Sequence, residues 1–157
     1  VEAGEARVVN STLTSSRAPS GAGAHVAGRT LALESATVAR NGLTAQTTAG
    51  GGVRVAAGGT LTAQNTILAE NQASSGPDCA GTLASDDHVL VGDVSGCTIT
   101  GTTAQSLLGV APLLAPLADN GGPTRTFALT EGSPAINAGA TDLGVDQRGV
   151  ARAFGPP

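Results

Sequence analysis

The chain repeats itself. Thr30-Leu-Ala-Leu-Glu-Ser-Ala-Thr-Val-Ala-Arg-Asn41 aligns with Thr60-Leu-Thr-Ala-Gln-Asn-Thr-Ile-Leu-Ala-Glu-Asn71 at an offset of 30 residues, with Thr, Leu, Ala and Asn recurring in register. A partial earlier copy, Asn10-Ser-Thr-Leu-Thr-Ser-Ser16, lies 25 residues before Ser35-Ala-Thr-Val-Ala-Arg-Asn41. Gly-rich stretches, 21–28 and 50–59, lead into the two later copies. A unit this short cannot bury a hydrophobic face alone, so copies must stack on one another. Within the units apolar residues alternate, as at Leu31 and Leu33, Val53 and Val55, Leu61 and Ala63. That is the period of a half-buried strand. Helix is excluded by glycines every few residues and by β-branched Thr and Val at the periodic positions.

These features predict an all-β fold, a right-handed parallel β-helix (solenoid) of about five to six rungs with about 25–30 residues in each. Ala, Gly, Ser and Thr make up about half of the 157 residues, and Phe127 and Phe154 are the two aromatics. The core of such a chain must be narrow and filled by Val, Leu, Ile and Ala. Equivalent residues on successive rungs lie about 4.8 Å apart, so Asn41 and Asn71 are candidates for a hydrogen-bonded asparagine ladder. Turn formation after a strand is a second, compatible reading of both.

The organisation changes along the chain. Residues 1–105 read as the rungs, including a loop between Cys79 and Cys97. Residues 106–157, which carry six of the eight prolines, read as a loop-rich segment packed on the same solenoid, giving one domain overall. The cysteines are 18 positions apart. In an exported protein that spacing suits a disulfide closing a short loop; two unrelated buried thiols are the other reading. Neither a CxxC pair nor His-rich spacing supports a metal centre.

Several function classes are excluded by charge and hydropathy. The net charge is −4, and all eight basic residues are scattered arginines, which is no nucleic-acid footprint. No apolar run reaches the roughly 18 residues of a membrane span.

Candidate chemistry is sparse. β-Helical polysaccharide lyases and glycosidases need carboxylates aligned on stacked strands or facing one groove, whereas these strands carry Thr, Ala, Val and Leu. Arg40 and Glu70, equivalent in the repeat, predict an exposed ion pair worth under about 1 kcal/mol. Asp86-Asp87-His88 is either an acid–base or metal cluster or a solvated turn, and the turn is the favoured reading. His25 and His88 form no triad with a nucleophile, and Gly50–Gly52 matches no phosphate loop. Asp119–Gly122 and Asp142–Asp146 could ligate calcium through oxygen, although turn formation explains them as well. The reading is therefore a non-enzymatic chain with no cofactor and no metal.

A series of short motifs in the second half carries a resemblance. It comprises Pro77-Asp-Cys79, Val91-Gly-Asp93, Gly96-Cys-Thr98, Leu108-Gly-Val110, Pro112-Leu-Leu114, Leu117-Ala-Asp-Asn-Gly-Gly-Pro-Thr124, Gly132-Ser-Pro-Ala-Ile-Asn-Ala-Gly139 and Asp146-Gln-Arg-Gly149. Over roughly residues 60–153, this series resembles bacterial secreted right-handed β-helix proteins of the choice-of-anchor, or polymorphic-outer-membrane-protein-like, kind. The resemblance implies an exported, surface-displayed solenoid, a disulfide between Cys79 and Cys97, and no established catalytic activity. It also implies a short closing strand after the Asp-Gln-Arg-Gly segment, where this chain has Gly155-Pro-Pro157.

The functional expectation is an extracellular structural or adhesive surface module. Val1 opens the chain without Met, so it reads as a mature or excised piece of something longer. Val1, Val8 and Val9 at one end and Phe154 at the other mark candidate assembly ends. They would serve either a head-to-tail homo-oligomer or filament, or junctions with neighbouring domains of a longer chain; surface glycans are a further candidate partner. The alternatives are a polysaccharide-binding or polysaccharide-degrading β-helix and, on the pattern of Thr60-Leu-Thr62 and Thr98-Ile-Thr100, an ice-binding face. The copy at Thr30-Leu-Ala32 interrupts that pattern.

Overall fold

Alternating apolar residues and glycine-bearing corners produce short strands and no helix in the computed structural model, which describes residues 4–43 and 46–152. The strands are all parallel up to residue 108, and the chain visits three stacks in turn. The first holds β1 (Glu5–Val9), β4 (Thr30–Glu34), β7 (Thr60–Gln64), β9 (Cys79–Asp86) and β11 (Cys97–Thr102). The second holds β2 (Thr12–Thr14), β5 (Thr37–Ala39), β8 (Ile67–Ala69), β10 (Leu90–Val91) and β12 (Leu107–Leu108). The third holds β3 (Ala24–Val26), β6 (Val53–Val55) and the start of β9. The molecule is thus all-β with curled parallel sheets, an arrangement compatible with a β-solenoid.

Register converts sequence alternation into a core. Ala6, Leu31, Leu61, Leu83 and Ile99 form one column of the first stack; Leu13, Val38, Leu68, Val91 and Leu108 form one of the second. In the middle layers these side chains, joined by Val53 and Cys79 of the third stack, are almost wholly buried. The outward residues of β4, β7 and β11 are mostly threonines, which suit a solvated pleated face.

The layers shorten along the chain. Register pairs Glu5 with Thr30, Thr30 with Thr60, Leu61 with Leu83 and Gly81 with Cys97, so successive offsets are 25, 30, 22 and 16. The expected 25–30 therefore holds only for the first two. The reason lies in the corner joining the third stack to the first. In the third layer it spans Ala56–Gly59, between β6 and β7. In the fourth it is missing: Ala80 pairs with Arg54 and Leu83 with Leu61, so three steps replace seven. Strand β9 runs straight across, fusing two stacks into a 7-stranded sheet. Gly81 takes the bend at φ 112°, where a side chain would be driven into the Val55 backbone.

From residue 113 onward the chain leaves the stacks. β13 (Leu114–Ala118) and β14 (Thr126–Leu129) pair antiparallel against the second stack, where Arg40 donates to the Leu114 carbonyl at 3.0 Å and lies 4.8 Å from the Phe127 ring centroid. A strap, residues 138–152, then walks back down the layers. His88 Nδ1 donates to the Ala138 carbonyl at 2.9 Å, and Ser35 meets Thr141 at 3.5 Å. Asn10 donates to the Val145 carbonyl at 3.0 Å, and Thr12 to Gln147 Oε1 at 2.8 Å. Its track follows the corner between the first two stacks, where Asn10, Ser35, Asn65, Asp87 and His88 all hold left-handed φ values.

Candidate functional site

The most deeply built polar feature is the column containing Asn41 and Asn71, which are 0% and 6% exposed. Each follows a left-handed corner residue, Arg40 or Glu70, which turns the asparagine inward. Asn71 Oδ1 accepts from both the backbone N and the Nδ2 of Asn41, each at 3.0 Å. One layer earlier the position is Ser16, whose backbone N donates to Asn41 Oδ1 at 3.0 Å. One layer later it is Val94, with no polar side chain to offer.

Asp78 replaces the missing asparagine from the opposite side of the coil. Its Oδ1 accepts from Asn71 N at 2.9 Å and Asn71 Nδ2 at 2.8 Å, and its Oδ2 accepts from Asp93 N at 2.7 Å. By register Asp78 is equivalent to Gly23 and Gly52, the residues before Ala24 and Val53. Gly23 and Gly52 leave no room for a side chain, because a Cβ there would be driven into the carbonyl of Gly52 or Asp78 in the next layer and would also press on the ladder amides, 3.1 Å from Asn41 Nδ2 and 2.8 Å from Asn71 Nδ2. Asp78 is 2% exposed. Burial pushes its carboxyl above the usual range, against the N–H groups of Asn71 and Asp93 that favour the anion.

The other sequence candidates occupy separate places. Cys79 and Cys97 are joined by a disulfide with Cα atoms 5.1 Å apart, tying β9 to β11. Arg40 and Glu70 pair at 2.7 Å, each about a third exposed. Asp87 accepts from Gln105 N at 2.8 Å, a bond that holds its carboxyl below the usual range, and so serves to fold the next loop back. Asp119 and Asp146 each accept backbone N–H groups within their own turns. Among the described residues no group of three or more His, Cys, Asp and Glu gathers as a metal site would require, and no helix is long and apolar enough to cross a membrane. Val8 and Val9 lie on β1, the outermost strand of the first stack, and are half-buried. Val1 and Phe154 lie outside the described residues.

One feature escaped the sequence reading altogether: a cleft of about 410 Å³ between the hairpin and the strap. Thr37 and Ile67 of the second stack form part of its floor, Asn120 and Phe127 of the hairpin one wall, and Arg148 and Arg152 of the strap the other. Asp146 is bound to Arg148 through Nε and Nη2, at 2.8 and 2.7 Å. Burial pushes the Asp146 carboxyl upward, but Arg148 and the backbone N–H groups of Val150 and Arg148 outweigh it and leave the group below the usual range. Nothing periodic announces this cleft, since its floor at Thr37 and Ile67 and its strap wall at Arg148 and Arg152 come from segments 81 to 115 residues apart.

No protein-family model, no curated protein and no solved structure matches the chain.

Proposed function

We propose that the chain is a right-handed parallel β-helix serving as an extracellular structural or adhesive module that stacks end to end. Right-handedness is the expected hand for parallel strands joined by crossovers, which take it in about 98% of cases. The extracellular setting rests on the disulfide, a bond that persists in oxidising compartments.

The observation that carries the stacking is the match between the two open ends. Among the described residues, β1 and β2 have a backbone partner on one side only, and so do β11 and β12. Continuing the register of the stacks would seat Leu13 of one copy on Leu108 of another, and Val8 over Gly101. Leu108 is 40% exposed, so the contact would cover an apolar side chain now facing water. In the outward columns Glu5 and Arg7 would meet Thr98 and Thr100, with no like charges opposed. A contact between unlike ends does not close on itself, so its repetition gives a filament. Light scattering over a concentration series with negative-stain microscopy tests this. Rods that lengthen with concentration are expected, and Leu108→Lys should keep the chain monomeric; a wild-type chain that stays monomeric at high concentration would sink the proposal.

A second reading is favoured by one observation. Thr30, Thr60, Thr82 and Thr98 occupy one outward column of the first stack, with Thr62 and Thr100 in the next. Such an ordered hydroxyl face is suited to organising water, and thermal hysteresis of the purified chain is the measurement that decides it.

A further inference from the structure

We infer that the cleft between the β13–β14 hairpin and the strap binds an acidic sugar, a uronic acid unit of an extracellular polysaccharide. This goes beyond stacking, which uses the open strand edges; of those edge strands the cleft borders only β2, at Thr12. At about 410 Å³ the cleft falls within the range of small-ligand sites, about 300–1,000 Å³.

Its chemistry selects the ligand. The Asn120 amide is oriented by its Nδ2, which donates to the Thr126 carbonyl at 2.9 Å and to Thr126 Oγ1 at 3.1 Å. Its Oδ1 is thereby left as an acceptor with no protein donor among the described residues. The Thr37 hydroxyl on the floor likewise makes no hydrogen bond among the described residues. Both groups suit sugar hydroxyls, which donate and accept. Phe127 and Ile67 offer carbon surface for the C–H face of a pyranose ring.

Charge supplies the third element. The positive charge of Arg148 is matched by Asp146. Arg152 is held by the Val145 carbonyl at 3.2 Å and by Asn10 Oδ1 at 2.9 Å, neither of them a carboxylate. Its guanidinium is therefore fixed in place and keeps its charge for a ligand, the arrangement that recognises a carboxylate. A small inorganic anion would use Arg152 but face the lone pairs of Asn120 Oδ1. A neutral sugar would use Asn120 and Thr37 and leave Arg152 unmatched. A uronic acid satisfies all three.

Galacturonate and galactose, which differ only in the carboxylate at C6, separate these possibilities in an NMR titration of the ¹⁵N-labelled chain at dilutions where it is monomeric. Galacturonate is expected to shift the amide signals of Thr37, Asn120 and Arg152, with galactose about tenfold weaker or more. Arg152→Gln should erase the difference between the sugars, and Arg152→Lys should restore part of it. Thr37→Val, which leaves every anchor of the strap intact, should weaken both sugars while the remaining spectrum stays unchanged. No shift in the cleft with either sugar overturns the inference, as does galactose binding as tightly as galacturonate, or a preference that survives in Arg152→Gln.

Discussion

At the scale of single residues, the buried ladder is the place where small changes should cost most. Asn71→Ala would strip the Asn41 backbone N–H of its acceptor and Asp78 of one donor, the Asn71 Nδ2, all in an environment closed to water. Leaving buried polar groups without partners costs about 1–3 kcal/mol each, so a loss of about 3 kcal/mol is expected from chemical denaturation. Gly52→Ala is predicted to cost about 1–3 kcal/mol by driving a methyl against the Asp78 carbonyl and the same amide, whereas Gly28→Ala meets no neighbour within 4 Å and loses only its left-handed conformational ease. The titration of Asp78 has a definite sign. Its carboxyl is raised above its ordinary value of 3.8 by burial, so the folded state holds the proton more tightly than the unfolded state. The stabilisation it brings is complete below that ordinary value and is lost as pH rises through the raised one. Asp87, Asp93 and Asp146 act oppositely: their stabilisation is present above the ordinary value and lost as pH falls through their lowered ones. Stability measured against Asp78→Asn from pH 7 down to about pH 4 should therefore shift in favour of the wild-type chain as acid is added; a difference that does not change with pH contradicts the assignment.

At the scale of elements, the disulfide does most for the shortest layers. β11 has a strand neighbour on one side, no third-stack partner behind it and half-exposed core residues, so its hold on the stack runs through β9. Closing an 18-residue loop stabilises by about 3 kcal/mol in the chain-entropy picture, and reducing Cys79–Cys97 should lower the melting temperature by about 6–12 °C. Hydrogen exchange should rise first in β11 and β12 and leave β4 and β7 protected. What the sequence made legible at this scale is what repeats locally: the alternation of Leu31 and Leu33, the offset of 30 between copies, and the equivalence of Asn41 and Asn71. The fusion of two stacks through β9 was not legible, because it consists of a deletion, and a missing corner leaves no residue to read. Asp78 escaped for a related reason. It stands seven residues from Asn71 in sequence but fills the ladder from the far side of the coil, at a position where earlier layers carry glycine.

At the scale of the whole molecule, the strap alters what a repeat architecture ordinarily does. Stacked repeats contact only their neighbours, so such arrays can open from either end. Here residues 138–152 touch the fourth layer at His88, the second at Ser35 and the first at Asn10 and Thr12. These contacts join residues 50 to 142 positions apart, which is why neither the strap's path nor the cleft beside it could be read from periodicity. Removing the lower anchors with Asn10→Ala and Thr12→Val is expected to raise hydrogen exchange in residues 141–152 and to broaden a single thermal transition into two. A transition that remains single and sharp in the double variant would show that the strap does not couple the layers.

The return of the strap also decides how the molecule bears load. Arg152 holds Asn10, so the strap returns to the first layer although 142 positions separate the two residues. A force applied through Glu5 and Arg152 would therefore not stretch the coil along its axis. It would peel the strap away from the first layer, breaking side-chain bonds one at a time and leaving the rest of the coil slack. A force carried through β1 and β11 instead runs along the column of parallel strands, where the backbone hydrogen bonds of each layer must break together. The described fold is thus soft when pulled through Glu5 and Arg152 and stiff when pulled through the outer strands of its stacks, which is the mechanical behaviour that the end-to-end stacking proposed above would require.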